Sequence, residues 1–123
     1  MNELRRKHRE LRVWQEAVAF TSLVYRETEV FPKSEQFGLT SQLRRASVAI
    51  ATHLAEGAAR KSSKEFLPHV ALARSSAAEV DTLVEIARQV GCFVDSTKIE
   101  SSLDNLVLLI LRFEATLKRK TAA

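Results

Sequence analysis

Apolar residues at helical spacing fill four long stretches of this 123-residue chain, with only short connectors between them. That pattern points to an all-α fold in which four helices pack as a bundle, because each stretch has one stripe to bury. The last stretch is the most regular: Ile99, Leu103, Leu106, Ile110, Phe113 and Leu117 keep an a/d heptad. Only three Gly and two Pro occur in the whole chain, so little interrupts the helices.

The first helix is expected from Leu11 to about Glu29, with Val13, Trp14, Ala17, Val18, Phe20, Val24 and Tyr25 facing the core, and Val30-Phe31-Pro32 ending it. Trp14 and Tyr25 are read as core residues, since helical spacing accounts for them. A second helix is expected from Gly38 or Thr40 to Ala59, burying Leu39, Leu43, Ala46, Ile50, Leu54 and Ala58. Ser62 with Glu65 three residues on reads as a capping box that opens a third helix, and Gly91 as its C-terminal stop. Pro68 is expected to bend that helix. Asp95 is the expected cap of the fourth. Short connectors imply antiparallel neighbours, hence an up-down-up-down course. The chain reads as one domain over residues 1–123, with a basic arm at 1–10 and a tail at 119–123.

Two of the helices have more apolar surface than a monomeric bundle needs. Opposite its heptad, the fourth helix has Ser101, Leu108, Leu111 and Ala115; the third adds Leu72, Ser76, Leu83, Ile86 and Val90 to a core stripe of Phe66, Val70, Ala73, Ala77, Val80, Val84 and Ala87. A single surface leucine needs no explanation, but second stripes on two successive helices imply a subunit interface. Leu72, Leu83, Ile86, Leu108 and Leu111 are its expected members, and the chain is expected to form a homo-oligomer.

Basic residues collect at three points of the sequence: Arg5, Arg6, Lys7, Arg9 and Arg12 at the start, Arg60, Lys61 and Lys64 between the second and third helices, and Lys118, Arg119 and Lys120 at the end. In an up-down bundle all three meet at one pole, which thus holds more than half of the 19 Lys and Arg residues. Cations near helix C-termini gain about 0.3–1 kcal/mol each from the macrodipole. That accounts for Arg60, Lys61 and the last cluster, but not for Arg5 to Arg12 or Lys64, which lie at helix N-termini. Phosphates would relieve them, so the pole is read as a contact surface for RNA or DNA.

Other chemistries lack their residues. His8, His53 and His69 are scattered, and neither His53-x-x-Glu56 nor Glu65-x-x-x-His69 supplies enough ligands for a metal. No Gly-rich phosphate loop is present. Cys92 reads as a packing residue rather than a nucleophile, and as the single Cys it fits a reducing compartment. No catalytic group, metal or cofactor is therefore expected. The longest apolar run, residues 106–111, is far short of the ~20 residues of a membrane span. The chain is expected to be soluble and cytoplasmic.

Residues 11–17 (Leu-Arg-Val-Trp-Gln-Glu-Ala), Tyr25, Pro32, residues 39–46 (Leu-Thr-Ser-Gln-Leu-Arg-Arg-Ala) and Ala55-Glu56-Gly57 together form a specific combination. With Lys64-Glu65-Phe66 and residues 73–79, they make the chain resemble the bacterial four-helix bundle proteins related to those encoded in intervening sequences of large-subunit ribosomal RNA genes. The resemblance covers about residues 10 to 115. It implies a small antiparallel bundle that assembles into a five-fold barrel, a pentamer. It also implies kinship with the accessory variability determinant proteins, basic partners of reverse transcriptases in diversity-generating retroelements. His53 departs from the Asn usual before Ala-Glu-Gly, and Ser75 from a usual Gly.

Two readings of function follow. In the first, a non-enzymatic homo-oligomer binds nucleic acid, or a nucleic-acid enzyme, through phosphate contacts from Arg5, Arg6, Lys7, Arg9, Arg60, Lys61, Lys64, Lys118, Arg119 and Lys120. In the second, the protein is an assembly module in which Arg44, Arg45, Glu56, Arg74 and Glu79 form structural polar contacts within or between subunits, and the basic ends are merely solvated.

Overall fold

The computed structural model describes residues 6–122. Among them are four α-helices and no strand: α1 Arg12–Thr28, α2 Leu39–Ala58, α3 Ser63–Gln89 and α4 Thr97–Ala122. Two short 3-10 turns, Lys7–Glu10 and Lys33–Glu35, precede α1 and α2. Each helix packs on the next in sequence, and α4 returns to α1, so the packing closes on itself.

The helix ends follow from local chemistry. Leu39 N–H, at the start of α2, donates to Glu35 Oε1 at 3.0 Å, so a carboxylate meets the positive end of the helix. At α3 the Ser62 hydroxyl accepts from Glu65 N–H at 3.1 Å, and Glu65 reaches back to that hydroxyl at 3.2 Å. Pro68 lies inside α3, which continues past it to Gln89. Gly91 then takes φ 84°. With it, Cys92 N–H donates to Ala87 O and Gly91 N–H to Arg88 O, the paired bonds of a Schellman stop. Thr97 N–H donates to Asp95 Oδ1 at 2.9 Å, which opens α4. The α4 helix runs on to Ala122, so Arg119 and Lys120 belong to a helical turn rather than to a tail. Nothing after Leu117 breaks a helix, and cations suit its C-terminus.

One core joins all four helices. Leu43, Ile50 and Leu54 of α2 meet Val24 of α1, Val70, Val80 and Val84 of α3, and Ile99, Leu106 and Ile110 of α4, all fully buried. Phe31 and Phe93, from the first and last connectors, pack edge to face at 4.8 Å, and Cys92 is buried in the same cluster.

Three sequence expectations need correction. Leu83 is not an uncovered interface residue: it is 6% exposed and belongs to the core. Because α3 packs on both α2 and α4, its buried arc is wide enough to take in Ser76 and Leu83 beside Val80. Leu72, Ile86, Leu108 and Leu111 are exposed. Tyr25 is not a core residue either, at 43% exposed, and its ring supports the Arg44 guanidinium at 4.6 Å. Val18 is likewise exposed rather than core-facing. Trp14 is half-buried and packs against the core, with His8 edge-on at 4.9 Å and Arg9 over its face at 5.4 Å.

Candidate functional site

At one end of the bundle the structure brings the three basic segments together around a cavity of about 370 Å³. Lys7 comes from the 3-10 turn, Arg60 and Lys61 from the α2–α3 connector, and Lys120 from the last turns of α4. Lys7 Nζ donates to Arg60 O at 3.1 Å, which ties the start of the described chain to that connector. Gln15 secures the same turn by donating to Arg9 O at 2.6 Å. Arg60 Nε donates to His69 Nε2 at 3.2 Å, so its side chain is held against α3 while its charge stays exposed. No carboxylate lines this cavity among the described residues.

The rest of the basic set is distributed around the pole. Arg6, Lys64, Lys118 and Arg119 are exposed and outside the cavity, and Arg119 donates to Thr116 Oγ1 at 3.1 Å. Arg9 turns toward Trp14. Arg5 lies outside the described residues.

Sequence reasoning missed the floor of the cavity. Phe66 of α3 and Phe113 of α4 stand edge to face there, 5.1 Å between ring centroids, with Leu11 and Leu117 beside them. Both aromatic residues are only half-buried. Helical spacing places Phe113 in the heptad and Phe66 in the α3 stripe. The available signal was position, since each aromatic lies within a few residues of a basic cluster.

Within one subunit the structural polar residues take the following partners. Arg44 does not pair with a carboxylate: its Nε donates to Thr28 Oγ1 at 2.9 Å and its Nη2 to Tyr25 O at 3.2 Å, which joins α2 to α1. Glu56 faces His53, Nδ1 to Oε1 3.3 Å, rather than an arginine. Glu79 and Arg45 are exposed, and neither forms an ion pair among the described residues. Arg74 does find a carboxylate, but it is Glu114 of α4.

A second hollow, about 420 Å³, runs between α1 and α2 and is lined by Trp14, Val18, Val48 and Ala51. Among the described residues no three His, Cys, Asp or Glu side chains gather as metal ligands. No described helix is long and apolar enough to cross a membrane. No curated protein matches the chain. A protein-family model described as 23S rRNA-intervening sequence protein matches residues 9–111.

Proposed function

The chain belongs to the 23S rRNA-intervening sequence protein family, and we propose that it is a non-enzymatic homo-oligomer that binds nucleic acid, or a nucleoprotein partner, through its basic pole. The observation that carries this reading is the convergence of Lys7, Arg60, Lys61 and Lys120, from three separate segments, on one cavity with no carboxylate among the described residues of its lining. Four cations so placed repel one another, and polyanionic phosphate offsets that cost. No base-reading motif accompanies them, so affinity rests on charge and sequence preference is weak.

The antiparallel course of the helices is supported by paired contacts. Thr21 of α1 donates to Ser47 O of α2, while Arg44, earlier in α2, reaches Thr28, later in α1. Assembly into a closed ring is supported by two unlike apolar surfaces: Leu72, Ile86, Leu108 and Leu111 on α3 and α4, and the hollow between α1 and α2. Unlike faces meet head to tail, and such contacts generate a ring where the rotation between subunits closes. The family resemblance suggests five subunits, and such a ring repeats the basic pole around its axis.

The test is a fluorescence anisotropy titration of labelled RNA and DNA at several salt concentrations. With about four phosphates neutralised per site, log K falls with log salt at a slope of about −3 to −4. The double variant Lys61→Gln/Lys120→Gln is expected to weaken binding to every sequence alike and to flatten that slope by about 2. Absence of binding at low salt, or indifference to these two changes, overturns the reading.

A further inference from the structure

The phosphate contacts leave the floor of the polar cavity unexplained. Phosphate oxygens need donors, and cations placed only to hold them are better hydrated over a polar surface than over Phe66 and Phe113. An apolar side chain of a protein partner fits the floor but has no use for Lys7, Arg60, Lys61 and Lys120 around it. A nucleotide answers both features, because its base presents a flat apolar face and its phosphates lie at the rim. Aromatic surface beside a positively charged groove is the arrangement by which proteins hold unpaired bases. At about 370 Å³ the cavity is at the small end of the ~300–1,000 Å³ range of ligand pockets, room for one such group.

The floor is also positioned by the fold. Gly57 of α2 lies beneath Phe66: a Cβ there would come within 2.5 Å of Phe66 Cδ1 and 2.7 Å of His69 Cβ. The missing side chain lets the Phe66 ring settle between α2 and Phe113 and show part of its surface to the cavity.

We propose that the cavity takes one unpaired base of a nucleic acid strand against Phe66 and Phe113, with the flanking phosphates on Lys61 and Lys120, so that the protein selects single strands over duplex. This rests on the nucleic-acid reading of the pole and narrows its ligand. Bases in a duplex are stacked and paired on both sides and cannot enter.

Competition against a labelled adenylate hexamer tests the proposal on the full chain. The competitors are unlabelled RNA and DNA adenylate hexamers, a hexamer of abasic sugar phosphates with the same charge, a duplex with the same number of phosphates, and polyglutamate. The adenylate hexamers are expected to bind about tenfold more tightly than the abasic strand, within the ~5- to ~150-fold that one stacked base contributes. Phe113→Leu, which keeps apolar bulk in the helix interface, is expected to narrow that gap by weakening the adenylate hexamers more than the abasic strand. A larger gap for RNA than for DNA identifies RNA as the source of the base, and the reverse identifies DNA. If abasic strand or duplex competes as well as adenylate, the base-binding proposal falls while the phosphate reading stands. If polyglutamate competes as well as adenylate, the pole is a plain anion surface and the proposal falls. If the labelled hexamer fails to bind at low salt, and a labelled copy of the duplex titrated directly fails as well, the two readings fall together.

Discussion

Arg74 Nη2 on α3 stands 3.2 Å from Glu114 Oε2 on α4, and the two ends of the pair differ in setting: the Glu114 side chain is 9% exposed, the Arg74 side chain 47%. The carboxylate faces inward from the core stripe of α4, four residues after Ile110 and three before Leu117, both buried. Arg74 therefore serves chiefly to compensate a charge that α4 directs toward the core.

Removing the arginine is accordingly the damaging change. Arg74→Ala leaves a buried carboxylate without its partner and is expected to lower unfolding free energy by roughly 1–3 kcal/mol. Glu114→Leu combined with Arg74→Met removes both charges and is expected to restore most of that loss. Urea denaturation of the two variants beside the unaltered protein checks the order.

Gly57→Ala sets two effects against each other. Alanine gains about 1 kcal/mol of helix propensity over glycine. The new methyl would meet Phe66 Cδ1 at 2.5 Å and His69 Cβ at 2.7 Å, and the latter is fixed to the backbone of α3, so the helix crossing has to open. Overpacking of this kind costs roughly 1–3 kcal/mol, and a net loss of stability is expected in thermal unfolding. The same change shifts Phe66 and should weaken single-strand binding.

Leu83 and Leu108 separate folding from assembly. Leu83→Ala creates a cavity in the core and is expected to cost about 2–5 kcal/mol of stability without changing subunit number. Leu108→Glu with Leu111→Glu places charges on exposed positions and is expected to yield folded monomers. Light scattering and circular dichroism on both variants decide it. A monomeric unaltered protein at micromolar concentration refutes the oligomer.

Asp95 gives the opening of α4 a pH dependence. The Thr97 side chain, then the Thr97 backbone N–H, hold its carboxyl below the usual aspartate range. A carboxyl with a lowered folded-state pKa contributes stability that is complete above the unfolded value of about 4 and disappears as pH falls through the lower folded value. Asp95→Ala is therefore expected to lower the melting temperature at pH 7, with the deficit closing in strongly acidic buffer. A deficit independent of pH contradicts the assignment.

Much of the fold was legible because local and long-range signals agreed. The heptad of α4, the Ser62–Glu65 cap and the Gly91 stop each act within a few residues, and each appears as read. A single stripe cannot show how wide an arc two neighbouring helices cover, which is why spacing alone puts Leu83 outside the core. Glu114 was overlooked although a charge between Ile110 and Leu117 on a core stripe signals a buried partner. For the site, the basic clusters were visible as sequence, but the role of Phe66 and Phe113 was not. Helical spacing assigns both to the core, and only the meeting of α3 with α4 beneath the basic segments reveals their second surface.

Cys92 follows the left-handed Gly91, is buried beside the aromatic connectors, and has its thiol pKa raised by that burial. A thiol in that condition is nearly silent toward alkylating reagents. It becomes reactive when the α3–α4 end separates, so its rate of labelling at neutral pH is a built-in clock for local opening there. Since the basic cavity lies among the first turn, the α2–α3 connector and the end of α4, a ligand seated in it has no direct contact with the sulfur. Any slowing of the clock on adding a nucleic acid strand would then measure how firmly the four helices move as one body.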